Sequence, residues 1–171
     1  SGSGSGSGSG SNQQRQLFLR QRRSELASLL SLFAGYLSSQ HLHQWEFYEK
    51  DGPLVVSHLL SRLPPDLLMM AGEPPEQQWV TSFAIIAALK QLNAAVSDCP
   101  LLLVDIQRHV LFKLGLWCWA PLCFHTLLLR MLASIVRVQA QARAVLFNPA
   151  SIRPNAEAAK RSSNDTRAGA G

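Results

Sequence analysis

The sequence predicts an all-α protein. The chain has 171 residues, 47% of them hydrophobic, and its middle part is rich in Leu, Ala and Val. Its apolar runs are longer than usual strands and lack sustained two-residue alternation, which favours helices. Short turn signals separate these runs: Asp51-Gly52-Pro53, Pro64-Pro65, Gly72-Glu73-Pro74-Pro75, Asp98-Cys99-Pro100 and Ala120-Pro121.

Composition predicts one helical domain with two polar flanks. Residues 1–12 are mostly Ser and Gly, with no apolar side chain to bury, and are typical of a flexible linker. Residues 149–171 are small, polar and basic, which predicts a disordered tail. The remaining residues, 13–148, are enough for a single helical domain.

The first helix is predicted over residues 13–39, either as one helix or as two with a break near Ser24. Its apolar side chains recur at three- and four-residue spacing, which predicts one buried stripe. The residues of that stripe are Leu26, Leu29, Leu30, Phe33 and Leu37.

A short second helix is predicted over residues 41–50, with Leu42 and Trp45 facing inward. Gly52 is expected to end it in the left-handed conformation, because glycine has no Cβ to oppose that geometry. Pro53 fits the first position of the next helix, where its missing N–H removes no hydrogen bond. We expect a buried stripe on that helix, formed by Leu54, Val55, Leu59, Leu60 and Leu63.

Three further helices are predicted beyond a proline-rich connector at residues 64–76, whose Asp66–Met70 segment is expected to form one helical turn. The next helix spans residues 77–96 and is apolar nearly all round, so we expect it to be covered on several sides. Pro100 opens a helix to about residue 115, and Pro121 opens a last long helix to about residue 147.

This succession resembles armadillo and HEAT-like helical repeats over about residues 24–112. Gly52, Leu54, Leu59 and Leu60 match the third-helix pattern of an armadillo unit. The segment Leu26–Leu37 and the helix from Glu76 through Val80, Ala84, Ala88, Leu89 and Leu92 look like equivalent helices of successive units. The Pro-Leu starts at Gly52 and Cys99 are 47 residues apart, within the range of such repeats. An α-solenoid fragment is therefore expected, with an irregular helical bundle as the alternative.

The resemblance implies a non-catalytic scaffold that binds protein partners, with a peptide or helix held in a groove. In an armadillo-like stack the third helix of each unit lines that groove. This analogy makes His58, Ser61, Arg62, Gln107 and Arg108 the expected partner contacts. Gly52, Pro53, Pro100 and Pro121 are expected to be structural.

The charge pattern argues against a nucleic-acid partner. The formal net charge is +5, with Arg15, Arg20, Arg22 and Arg23 near one end and a basic tail at the other. A nucleic-acid binder of this size usually has a denser basic stripe with interleaved aromatic residues. We interpret both basic ends as solubilising segments.

No motif predicts catalysis, a cofactor or a small-molecule substrate. The sequence has no phosphate-binding glycine loop and no nucleophile elbow. Cys118 and Cys123, with His109 and His125, invite a zinc interpretation, but the spacing lacks a second ligand pair. Together with Cys99, these cysteines are expected to be buried thiols of an intracellular protein, cytoplasmic or nuclear.

A membrane-associated protein anchored through residues 110–136 is the alternative function. Residues 114–129 carry no formal charge, but a spanning helix needs about 20 apolar residues and Pro121 interrupts the run. A pair of buried helices divided at Pro121 fits the pattern better.

Overall fold

Seven α-helices form the part of the protein that the computed structural model describes, residues 9–146. They are α1 Ser9–Ser39, α2 His41–Glu49, α3 Gly52–Ser61, α4 Pro65–Met69, α5 Pro75–Ala95, α6 Pro100–Ile106 and α7 Leu122–Leu146. A π-helical turn, Gln107–Leu111, extends α6, and a 3₁₀ turn, Leu114–Trp117, precedes α7. No strand occurs among these residues. The predicted all-α class is confirmed.

Proline residues mark most of the helix starts. Pro53, Pro75 and Pro100 lie in the first turns of α3, α5 and α6, and Pro121 directly precedes α7. These positions tolerate proline because the first turn of a helix leaves its backbone N–H groups without intrahelical acceptors. The helix α1 is continuous through Ser24 and begins at Ser9, within the segment expected to be a linker. The predicted tail, 149–171, lies outside the described residues.

The two longest helices of the Ser1–Leu132 unit, α1 and α5, pack side by side and run in the same direction. At one end, Arg20 Nε of α1 donates to Glu73 Oε1, just before α5, at 3.1 Å. At the other end, Gln44 Nε2 donates to the carbonyl oxygens of Leu37 and Ala95, each at 3.0 Å. Two equivalent helices of successive layers are therefore stacked in parallel.

The core lies between the helices and is mostly aliphatic. The helices α1, α5 and α6 and the π-helical turn contribute Leu37, Ile85, Leu89, Leu92, Leu102, Ile106, Val110 and Leu111, all fully buried. The first part of α7 adds Phe124, whose ring lies 5.4 Å from the ring of Trp117. The boundary between the Ser1–Leu132 and Ala133–Gly171 units falls inside α7.

The turn between α2 and α3 differs from the prediction. The residue in the left-handed region is Asp51, with φ of 53°, and Gly52 begins α3. The left-handed assignment of Gly52 is wrong. Glycine is required there for space, since a Cβ at Gly52 would overlap the ring of Phe47.

The predicted burial of α2 and α3 is also partly wrong. Leu54, Val55 and Leu59 are exposed, whereas Leu60 is buried as predicted, together with Gly52, Pro53 and Ser57. Leu42 and Trp45 of α2 are exposed, and its buried residue is Gln44. The physical reason is that these short helices pack on one side only, so apolar residues on their other sides stay in solvent. Leu29 of α1 and Phe83 of α5 are exposed as well.

Candidate functional site

A groove of about 860 Å³ lies along the α1–α5 pair. Small and hydroxyl side chains line much of it, from both helices. They are Ala27, Ser28, Ser31 and Gly35 of α1, with Thr81 and Ala84 of α5. Leu32, Tyr36 and Val80 also line this α1–α5 groove and are 71%, 48% and 64% exposed. Its volume falls in the range of ligand-binding clefts.

A cluster of charged residues closes one end of the groove. Arg23 is 1% exposed and forms an ion pair with Glu73, whose side chain is fully buried. Arg20 shares the same carboxylate oxygen, at 3.1 Å from its Nε, and its side chain is 39% exposed. Two guanidinium groups thus meet one carboxylate, and the arginine cluster of Arg20, Arg23 and Glu73 has a formal charge of +1.

The arginine cluster also anchors the proline-rich connector. Arg23 donates hydrogen bonds to the carbonyl oxygens of Leu67 and Asp66, the latter at 3.1 Å. Gln16 Nε2 donates to the carbonyl oxygen of Ala71 at 2.9 Å, and Arg15 pairs with the Asp66 carboxylate. The long connector is therefore held against α1.

The arginine cluster is not among the predicted features, because all four arginines near the start of the chain were interpreted as solubilising. That interpretation is wrong for Arg23. The sequence contains a signal for it, since Arg23 lies seven residues before Leu30 and fourteen before Leu37, on the buried stripe of α1. An arginine on a buried stripe indicates a buried acceptor, because the charge is costly to bury unpaired.

The outward side of α3 carries an exposed mixed surface. Val55 and Leu59 are 52% and 61% exposed, and His58 and Arg62 are exposed beside them. The spacing i, i+3, i+4, i+7 places these four residues on one side of the helix. We call this set, Val55, His58, Leu59 and Arg62, the α3 face. The opposite side of α3 is held by Ser57, whose Oγ accepts from Lys113 Nζ at 3.1 Å.

The remaining predicted partner contacts are distributed differently. Ser61 is exposed next to the α3 face, and its Oγ donates to the carbonyl oxygen of His58 at 2.7 Å. Arg108 is exposed on the π-helical turn. Gln107 is buried, and its Nε2 donates to Asn93 Oδ1 at 3.0 Å. Gln107 therefore does not lie at the surface where the prediction puts it.

The cysteines and histidines do not assemble into a site. Cys123 is buried with its Sγ 3.4 Å from Ser82 Oγ, whereas Cys118 is exposed, contrary to the prediction that all thiols are buried. His125 Nε2 lies 2.8 Å from the carbonyl oxygen of Trp117. Within residues 9–146, no group of three His, Cys, Asp or Glu residues is placed to hold a metal ion.

One helical stretch of the described chain, Leu122–Ala144, is long and apolar enough to cross a membrane by length and composition. Only 28% of its most apolar part is buried. A core helix of a soluble protein passes the same test. The stretch is therefore compatible both with a core helix and with the membrane-associated alternative.

Stacked parallel helices whose layers contact their immediate neighbours define the α-solenoid class. The chain belongs to the family described as the Neurobeachin/BDCP, DUF4704 alpha solenoid region, which matches residues 8–146. This match confirms the helical-repeat resemblance. No curated protein and no solved structure gives a significant match to the chain.

Proposed function

We propose that this chain is a non-catalytic scaffold segment of a larger solenoid protein and binds protein partners through the α3 face. The observation that carries the proposal is the exposure of Val55 and Leu59 beside two polar side chains, on a short helix already packed from its other side. Solenoid repeats cover their apolar sides with neighbouring layers or partners, and terminal repeats are polar. An apolar side left exposed indicates a contact surface.

The composition of the α3 face suits a protein partner. Two aliphatic side chains supply area to bury, and Arg62 supplies directional hydrogen-bond donors, as in a typical protein interface. Interface energy concentrates in a few buried side chains, so Arg62 and Leu59 are the residues whose loss we expect to cost most. We also propose an intracellular location, cytoplasmic or nuclear, which the three free thiols support.

The test compares the proteins captured from native cells by the full wild-type chain and by its variants, read by mass spectrometry. We expect His58→Ala/Arg62→Ala and Val55→Ser/Leu59→Ser to lose the same partners without a lower melting temperature. The control is Lys90→Ala, which removes one exposed positive charge from α5 and leaves the α3 face intact. Unchanged capture by both double variants refutes the proposal. Complete partitioning of the wild-type chain with membranes favours the membrane-associated alternative instead.

A further inference from the structure

We infer that the α1–α5 groove binds a peptide segment carrying one acidic side chain among small and apolar residues, with Arg20 as the anchor for the carboxylate. The inference rests on the proposed scaffold function and names a second contact surface with its partner chemistry. It uses residues on α1 and α5, none of which belongs to the α3 face.

The guanidinium of Arg20 is preorganised to bind an anion. Its Nε is fixed on Glu73 Oε1 at 3.1 Å, and its side chain is 39% exposed at the groove. Among the described residues, the terminal nitrogens of this guanidinium have no hydrogen-bond partner. A guanidinium held by one edge loses little conformational freedom on binding and can present its terminal N–H groups to a carboxylate.

The charge of the groove selects the type of anion. The charged residues lining it are Arg20 and Arg23, and no Asp or Glu lines it. Glu73 neutralises one of the two guanidinium charges, so the end of the groove carries a formal +1. A monoanionic carboxylate matches this charge, whereas a phosphorylated side chain, at about −1.5 to −2, is typically bound by several arginines.

The rest of the groove suits small and apolar side chains. From Arg20 to Tyr36 it follows α1 over sixteen residue steps, or about 24 Å at 1.5 Å per residue. Its small lining residues allow a peptide backbone to approach α1 and α5 closely. Leu32, Tyr36 and Val80 supply apolar contacts that are exposed without an occupant. An acidic residue at the Arg20 end, followed by small and apolar residues, therefore complements the surface.

The experiment selects displayed random 12-residue peptides on the full wild-type chain and measures the binding of enriched peptides by fluorescence anisotropy. We expect the enriched peptides to share an Asp or Glu next to Ala, Leu or Val. Arg20→Gln should weaken their binding about tenfold or more, and replacing the peptide's acidic residue by its amide should weaken binding to the wild type equally. Ser28→Phe, which fills the groove from an exposed helical position, should also weaken binding.

The matched control is Arg22→Gln, which removes the same charge two residues further along α1. Arg22 pairs with Glu25 and lies over the ring of Phe18, and it does not line the groove. Melting temperatures of all variants establish that each is folded. The inference is overturned if the selected peptides lack acidic residues, if Arg20→Gln and Ser28→Phe both bind them as the wild type does, or if Arg22→Gln loses as much as Arg20→Gln. If any of these results occurs while the α3 variants still lose their cellular partners, the groove inference is refuted and the proposed scaffold function is retained.

Discussion

Replacing Arg23 by methionine tests whether the buried arginine cluster holds the fold together. Methionine keeps the length and apolar stem of the side chain and removes only the guanidinium. Three acceptors then lose the donor that Arg23 supplies: Glu73 Oε1 and the carbonyl oxygens of Leu67 and Asp66. The Glu73 carboxylate, fully buried, retains only Arg20, and its Oε2 has no partner among the described residues.

The expected loss is large because one partner of a buried ion pair remains. Removing a single member of such a pair typically costs about 3–5 kcal/mol. Arg20 still neutralises Glu73 at 3.1 Å, so we expect Arg23→Met to fall near the lower limit, about 3 kcal/mol. For a chain of this size, that corresponds to a fall in melting temperature of about 6–12 °C.

The assay is urea unfolding of the full chain followed by circular dichroism at 222 nm, for Arg23→Met, Glu73→Gln and the double variant. The double variant should lose less free energy of unfolding than the sum of the single losses, by about 1–3 kcal/mol, because removing both partners leaves no unpaired buried charge. The control is Arg15→Met, whose pair with Asp66 is exposed and should contribute about 1 kcal/mol or less. The reasoning is refuted if Arg23→Met costs no more than this control, or if the two single losses simply add.

Two further predictions concern single positions. Gly52→Ala should lower the free energy of unfolding by about 1 kcal/mol or more, because the new Cβ meets the ring of Phe47. Gly35→Ala should raise it by about 0.5–1 kcal/mol, since Gly35 lies inside the helix α1 and a Cβ there meets nothing within 4 Å. Chemical denaturation of both variants checks this, and equal effects would contradict the steric explanation. In the native chain, a thiol reagent such as 5,5′-dithiobis(2-nitrobenzoate) should modify Cys118 first, because it is the exposed cysteine of the three. Cys118→Ser should abolish the fast phase, and a fast phase that persists would show that another thiol is accessible.

The helices themselves could be predicted because their signals are local. Each of Pro53, Pro100 and Pro121 marks a helix start through the chemistry of its own ring and missing N–H. Long apolar runs with three- and four-residue spacing distinguish helices from strands before any partner helix is known. Parallel stacking of α1 and α5 could not be predicted from such local signals, since it depends on contacts between segments about fifty residues apart.

Burial within α3 could not be predicted in the same way. Leu54, Val55 and Leu59 are as apolar as Leu60, and periodicity alone does not say which side of a short helix meets a neighbour. The structure selects Leu60 because the layer formed by α6 and the π-helical turn lies on that side. The residues that periodicity assigned to the core instead include half of the α3 face. The error therefore falls at the surface that we propose to be functional.

The basic segment at the start of α1 holds the proline-rich connector in place. A connector with four prolines cannot satisfy all of its backbone groups by itself, because proline lacks an N–H and its neighbours are kept out of the helical region. Its free carbonyl oxygens at Asp66, Leu67 and Ala71 accept from Arg23 and Gln16 instead. The first half of α1 is thus required to close the layer next to it. Arg23 has a structural role only, whereas Arg20 both stabilises the fold and remains available to a ligand. The buried carboxylate of Glu73 therefore anchors the connector and also orients Arg20, the proposed binding group.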